Sequence, residues 1–147
     1  MYKDDSLTLH TDLYQINMMQ VYFNKGIHNK KAVFEAYFRK VPFENGYAVF
    51  AGLERIVRYL ENLSFSDSDL SYLEELGYPE EFLDYLKNLK MELTVKSAKE
   101  GDLVFANEPL VQIEGPLAQF QLVETAILNI INYQTLVATK AARIRSV

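Results

Sequence analysis

The residues most able to do chemistry in this sequence lie close together in residues 9–19, which read LHTDLYQINMM. Thr11 and Asp12 can each accept a hydrogen bond from a free N–H group at the start of a helix, so we expect a helix to begin there. Tyr14 would then lie in the first turn, where its ring and hydroxyl could contact a ligand or a partner subunit. The alternative is a half-buried core tyrosine whose hydroxyl has one hydrogen-bond partner.

Other catalytic chemistry is sparse in the sequence. The only histidines are His10, which could orient Thr11 or a ligand, and His28, which follows Gly26 in a polar loop and is expected at the surface. The sequence has no glycine-rich phosphate loop, no histidine pair with metal-ligand spacing and no cysteine. We therefore expect no catalytic side chain, no metal site and no cofactor bound by these residues themselves.

The composition is typical of a globular protein. The chain has 147 residues, of which 49% are hydrophobic and 24% charged, and this length normally corresponds to one domain with a real core. The net charge of −5 and the lack of a broad basic face argue against nucleic acid as a partner. Neither a signal peptide nor a run of about eighteen apolar residues is evident, so we expect a cytoplasmic protein with no membrane partner.

Hydrophobic periodicity predicts the elements that position this motif. Apolar residues three and four apart continue the first helix to Gly26, which can end it in a left-handed conformation. Residues 32–40 then alternate between apolar and polar, as in a strand with one buried face. Asn45-Gly46 is a strong turn signal before residues 47–50, which predicts a hairpin or a tight re-entry of the chain.

Three helices and three short strands are predicted next. The helices cover residues 53–63, a segment capped by Ser66 and a segment opened by Pro79. The strands cover residues 93–97, 103–105 and 110–115. These short strands predict a small β layer or partial barrel, most simply a plain β-meander. A biotinyl or lipoyl carrier domain is the alternative, although no lysine at a hairpin tip is evident.

A final long helix is predicted from Leu117 towards Arg145, with Pro116 at its first position. Residues 126–133 in its middle are apolar nearly all round. Such a pattern indicates burial between layers or between subunits.

Polar residues along this helix are candidates for a site. Glu124, Asn129 and Asn132 interrupt the apolar surface, so each is either a structural hydrogen-bonding group or part of a site. Near the end of the helix, the cations Lys140, Arg143 and Arg145 either complement the helix dipole or meet a phosphate.

Three segments of the sequence resemble one enzyme family. Residues 9–19, 34–54 (FEAYFRKVPFENGYAVFAGLE) and 115–144 (GPLAQFQLVETAILNIINYQTLVATKAARI) look like the N-terminal part of nicotinate phosphoribosyltransferase, in family order and spacing. The resemblance covers essentially the whole chain. It implies an α+β fold: residues 1–147 would form the N-terminal α/β sandwich domain of a type II phosphoribosyltransferase. Within it, about residues 117–147 would be a long buried helix leading to a barrel that this chain lacks.

The resemblance also implies a reaction. The family joins nicotinate to 5-phosphoribosyl 1-pyrophosphate, with ATP hydrolysis, and gives nicotinate mononucleotide in NAD salvage. ATP and Mg²⁺ are expected for the full-length enzyme, which we expect to be a homodimer. The resemblance implies that Tyr14 matches the tyrosine of this motif that lines the nicotinate pocket of the neighbouring subunit. It is therefore the candidate substrate-binding residue.

Much of the family's machinery has no counterpart in these residues. The chain ends at Val147, where the family's barrel should begin. The phosphorylated histidine and the phosphoribosyl-pyrophosphate loops of the family are not matched, and neither His10 nor His28 lies in a matching motif. We therefore expect these 147 residues to be inactive alone. The alternative is a non-catalytic dimerisation or binding module derived from such an enzyme.

Overall fold

The structure, a computed structural model, describes residues 7–44 and 46–146, which form five α-helices, one short 3-10 helix (Pro42–Glu44) and two small antiparallel sheets. The helices are α1 (Leu13–Asn24), α2 (Leu53–Asn62), α3 (Asp67–Glu75), α4 (Glu80–Lys87) and α5 (Leu117–Arg145). The strands are β1 (Lys31–Ala36), β2 (Ala48–Val49), β3 (Thr94–Ser97), β4 (Leu103–Val104) and β5 (Val111–Pro116). The predicted α+β class and all five predicted helices are confirmed. Within the described ranges, no helix is long and apolar enough to cross a membrane.

Local sequence decides where the helices begin and end. Gly26, at φ +65°, follows the last turn of α1, and its N–H donates to Phe23 O at 2.9 Å. The next residue, Ile27, donates to Tyr22 O at 3.0 Å, which satisfies a second free carbonyl. At the start of α3, Ser66 and Asp69 exchange hydrogen bonds with each other's backbone N–H groups.

The larger sheet has the strand order β1-β5-β3, with β5 in the centre. Ala32, Phe34 and Ala36 lie on one face of β1, as the alternation predicts, and Phe34 is opposite Ile113 of β5. The strand ends at Ala36, so it is shorter than the predicted 32–40 segment. On this face the Phe34 ring stacks on Phe120 of α5, with ring centroids 3.4 Å apart.

Two strand pairings differ from the predictions. β2 pairs with β4 rather than with β1, so of the two alternatives predicted around residues 45–50, a hairpin or a tight re-entry, the hairpin is wrong; Asn45 itself lies outside the described residues. β4 therefore leaves the larger sheet, and β3 pairs directly with β5. The plain β-meander predicted for residues 93–115 is also wrong, because the middle strand belongs to the second sheet.

Helix α5 packs on both sheets and on α1; residues 118–123 are buried all round, whereas from residue 126 onward the helix is buried along one face only. Ala126, Ile127, Ile130 and Ile131 are buried, whereas Leu128, Asn129, Asn132 and Tyr133 are exposed. Full enclosure of residues 126–133, which their composition predicts, is therefore not reached within the described part of the chain.

Two buried threonines of α5 attach the β2 segment to the helix. The Thr139 hydroxyl accepts from Val49 N–H at 2.9 Å, and the Thr135 hydroxyl accepts from Ala51 N–H at 3.2 Å. Each threonine satisfies a backbone donor that would otherwise be buried without a partner.

Candidate functional site

The motif of residues 9–19 forms the start of α1 and packs on the N-terminal half of α5. Asp12 is the N-cap, as one of the two predicted candidates, but its side chain forms no capping hydrogen bond. Instead, its Oδ2 accepts from the Thr125 hydroxyl of α5 at 3.0 Å. Thr11 does not replace it, because Thr11 Oγ1 is buried with no hydrogen-bond partner among the described residues. The helix start is therefore fixed by α5 rather than by a local cap.

Tyr14 faces outward from this first turn and is 53% exposed. The alternative prediction, a half-buried core tyrosine with one hydroxyl partner, is met in the single partner but not in a place in the core. Its hydroxyl oxygen accepts a hydrogen bond from Gln15 Nε2 at 2.9 Å. The ring and hydroxyl are thus presented at the surface in an orientation that a neighbouring side chain restrains.

Gln15 is the residue that links Tyr14 to α5. Its side chain is fully buried, and its Nε2 also donates to Glu124 Oε2 at 3.0 Å. Gln15 Oε1 is buried and has no hydrogen-bond partner within the described ranges. Glu124, predicted as either a structural group or a site residue, therefore contacts the Tyr14 site through Gln15.

The setting of Tyr14 favours the protonated phenol. Partial desolvation first, and then the negative charges of Glu124 and Asp12, raise the pKa of Tyr14 above its ordinary value. Tyr14 therefore carries its proton at neutral pH and can donate a hydrogen bond.

Gln15 was not among the site residues predicted from the sequence. A signal was present, because Gln15 lies next to Ile16 and four residues before Met19, both of which are buried. A polar residue on the buried face of a helix needs a partner, and the acidic interruption of α5 at Glu124 supplies it.

The two asparagines of α5 are not buried, contrary to the prediction. Asn129 and Asn132 are exposed and line an open cleft of about 420 Å³ between α5 and the end of β1. Tyr37 and Phe38 line the opposite side of this cleft. The structure therefore places the asparagines at a surface.

Of the predicted cations, Arg143 has a structural role. Its Nη2 donates to Tyr47 O at 3.0 Å, and its guanidinium lies 5.2 Å from the Phe43 ring centroid and 5.3 Å from that of Tyr47. Lys140 Nζ lies 5.3 Å from the same Phe43 ring. These contacts attach the segment before β2 to the last turns of α5.

The histidines lie in different surroundings. His10 is exposed. His28 is half-buried rather than on the open surface as predicted, with its ring 5.3 Å from Phe23 and 5.1 Å from Tyr85. In the part of the chain that the structure describes, no group of three or more His, Asp or Glu side chains could hold a metal ion.

A family model described as the nicotinate phosphoribosyltransferase N-terminal domain matches residues 9–132. The chain belongs to this family. The match includes Tyr14, Gln15 and Glu124, and so covers the whole candidate site. The resemblance inferred from the three sequence segments is therefore confirmed.

Relatives of this nicotinate phosphoribosyltransferase region are much longer than the chain. The chain is 64% identical to nicotinate phosphoribosyltransferase of Bacillus subtilis, across 99% of this chain and 30% of that protein. It is 49% identical to the protein of the same name from Caenorhabditis elegans, across 96% of this chain and 26% of that protein. The chain thus spans less than a third of the length of these relatives.

One solved structure agrees with this family assignment, and a second shows the same fold. The crystal structure of human nicotinic acid phosphoribosyltransferase matches with a TM-score of 0.87 and 40% identity, over 92% of this chain and 28% of that one. Nicotinate-nucleotide pyrophosphorylase from Pyrococcus furiosus shares the fold, with a TM-score of 0.63 at 23% identity over 89% of this chain and 27% of that one.

Proposed function

We propose that this chain is the N-terminal part of an enzyme that joins nicotinate to 5-phosphoribosyl 1-pyrophosphate, with ATP hydrolysis, to give nicotinate mononucleotide in NAD salvage. The family match over residues 9–132 carries this proposal. ATP and Mg²⁺ act in the complete enzyme, and the phosphate-binding groups lie outside these residues. The complete enzyme is a cytoplasmic homodimer in this proposal.

Within this proposal, Tyr14 is the substrate-binding residue of the chain. Nicotinate is a flat, electron-poor ring with a carboxylate, which matches the two features that the phenol presents. The exposed ring can stack on the pyridine, and the hydroxyl can face the carboxylate. Its position at the start of α1 adds the positive end of the helix dipole, which favours an anion.

The substitutions Tyr14→Phe and Tyr14→Ala in the complete enzyme test this role. Tyr14→Phe keeps the stacking surface, so we expect a modest rise in the KM for nicotinate. Tyr14→Ala removes the stacking as well, which is worth about 0.5–1.5 kcal/mol, or roughly two- to tenfold, beyond the loss of buried area. Steady-state kinetics with nicotinate as the varied substrate measure both.

Tyr72→Ala is the matched control, because Tyr72 is also 53% exposed but lies on α3, away from the α1–α5 contact. It should leave the KM for nicotinate unchanged. A Tyr14→Ala enzyme with the KM of the parent would contradict the role of Tyr14.

We also infer that a polypeptide of residues 1–147 does not turn over alone, because positioning and charge stabilisation of pyrophosphate need groups that it does not contain. Turnover by that polypeptide, free of host enzyme, would contradict this second point.

A further inference from the structure

The arrangement of Gln15 between Tyr14 and Glu124 assigns a direction to the Tyr14 hydroxyl. An amide NH₂ group has two hydrogens and no acceptor capacity. Gln15 Nε2 lies 2.9 Å from Tyr14 Oη and 3.0 Å from Glu124 Oε2, so each hydrogen has one acceptor. The Tyr14 oxygen is therefore the acceptor in its contact with Gln15.

Glu124 determines which end of the Gln15 amide faces Tyr14. An ionised carboxylate only accepts hydrogen bonds, so the amide oxygen cannot replace the nitrogen beside Glu124 without placing two acceptors together. The preferred orientation leaves Gln15 Oε1 buried with no partner in the described part of the chain. Gln15 thus lacks one hydrogen bond at Oε1, while its Nε2 donates to both Glu124 and Tyr14.

The hydroxyl proton of Tyr14 is consequently free to point away from the protein. Among the described residues, the Tyr14 hydroxyl forms one hydrogen bond, as an acceptor, and the side chain is 53% exposed. The nearby carboxylates of Glu124 and Asp12 oppose loss of this proton. The group offered to a ligand is thus an O–H donor of fixed direction.

We propose that Gln15 is a positioning residue, held by Glu124, which presents the Tyr14 hydroxyl as a hydrogen-bond donor to a carboxylate oxygen of a planar aromatic acid. This inference rests on the proposed function, in which nicotinate is that acid. Beyond that function, we infer that Gln15 and Glu124 affect ligand binding only by orienting Tyr14.

Burial supports a positioning role over direct contact. Gln15 is fully enclosed, so a surface ligand at Tyr14 cannot reach its amide nitrogen, whose two hydrogens are already used. Glu124 lies behind Gln15 on α5 and, as an anion, would repel a carboxylate placed against it. Both residues can affect an anionic ligand favourably only by orienting Tyr14.

A double-mutant cycle in the complete enzyme tests this dependence. Gln15→Met keeps the length of the side chain and removes both donors. We expect it to raise the KM for nicotinate about twofold, the low end of one net hydrogen bond and no more than Tyr14→Phe does, with little change in kcat. In the Tyr14→Phe background the same substitution should add no further loss, because the hydroxyl that it orients is absent.

Thr125→Val is the matched control, since Thr125 also bonds α5 to the start of α1 but contacts Asp12 rather than Tyr14. Any effect it has on KM should be the same with and without Tyr14→Phe. Two substitutions at Glu124 test the same proposal if the Gln15→Met enzyme does not fold. Glu124→Leu should raise the KM, and Glu124→Asp, which keeps a carboxylate that can only accept, should recover part of that loss.

The outcomes separate this inference from the proposed function. If the KM increase of the double variant equals the product of the increases in the two single variants, the two residues act independently. That result would overturn the positioning role while leaving Tyr14 as the nicotinate contact. If the Gln15→Met enzyme does not fold, equal KM values for Glu124→Asp and Glu124→Leu would overturn the positioning role. Nicotinate kinetics unaffected by both Tyr14→Phe and Tyr14→Ala would instead remove the proposed substrate contact itself.

Discussion

Tyr14 and Tyr59 are in opposite environments, although both are tyrosines on helices that carry the core. Tyr59 in α2 is only 3% exposed, and its hydroxyl has no hydrogen-bond partner among the described residues. Burial raises the pKa of Tyr59 strongly, because the phenolate could not be solvated there. One hydroxyl is available for ligand binding, whereas the other is a local cost to stability.

Tyr59→Phe should therefore stabilise the fold. Removing a buried hydroxyl without a partner is expected to raise the free energy of unfolding by roughly 1 kcal/mol. Urea unfolding measures this, with Tyr72→Phe as an exposed control that should change little. A Tyr59→Phe protein less stable than the parent would imply that the hydroxyl has a stabilising partner.

The same residue predicts how stability depends on pH. The pKa of Tyr59 is raised in the folded state, whereas an unfolded tyrosine ionises near pH 10. Above about pH 10 the unfolded state loses this proton first, so the free energy of unfolding falls as pH rises. Burial also raises the pKa values of Tyr78 and Tyr85, so Tyr59→Phe should reduce this alkaline decline without abolishing it.

At the scale of single residues, the sequence predicted that Tyr14 lies in the first turn of a helix, but it did not predict the hydrogen-bond partners of Tyr14. A helix-capping pattern next to an aromatic residue is a local signal, readable within residues 9–19. The contact between Gln15 and Glu124 joins residues 109 positions apart, and no local pattern encodes such a pairing. A separation of 113 positions likewise explains why Asp12, although it is the predicted N-cap, accepts a hydrogen bond from Thr125 and none from its own helix.

At the scale of elements, helices were predicted well and strand partners were not. The start of α3 follows from the Ser66 cap, and the start of α5 follows from Pro116, which is its N-cap rather than its first helical residue; both signals are local. Pairing depends on which strands the fold brings together: β1 and β5 pair in a register that places Lys31 opposite Pro116. The two-residue strands β2 and β4 have too few positions for alternation to identify a partner.

A glycine in β5 gives a prediction at this scale. A Cβ added at Gly115 would lie 2.6 Å from Leu93 Cδ2 and 2.8 Å from Glu92 O, and the carbonyl belongs to the backbone. Gly115→Ala should therefore force the segment before β3 away from β5 and cost about 1–3 kcal/mol of stability.

Gly77→Ala provides the control for this glycine. Gly77 has a positive φ of 88° but open space around it, so the substitution should cost only about 1 kcal/mol for the backbone conformation. Thermal or urea unfolding of both variants makes the comparison. Equal losses at the two positions would mean that the close approach at Gly115 relaxes easily.

At the scale of the whole molecule, apolar side chains remain exposed in stripes on two helices. On α1 the stripe consists of Tyr14, Met18 and Val21, spaced four and three residues apart. On α5, Tyr133, Val137 and Ile144 fall on one face by the same helical period and are 68%, 53% and 69% exposed. Apolar residues grouped on one helix face commonly mark a surface that another protein surface covers.

We therefore expect a polypeptide of residues 1–147 to self-associate into a dimer or a larger oligomer at tens of micromolar. Burial of the α5 stripe against a second copy would remove apolar surface from water at about 25 cal/mol per Å². Light scattering after size exclusion measures the mass, and Val137→Glu should shift it towards the monomer because a buried charge opposes packing. Leu103→Glu, at a 60% exposed position on β4, is the control and should leave the mass unchanged. If the parent chain is a monomer and binds little hydrophobic dye, the exposed stripe of α5 does not drive self-association. The same result would count against a homodimer that forms through this face.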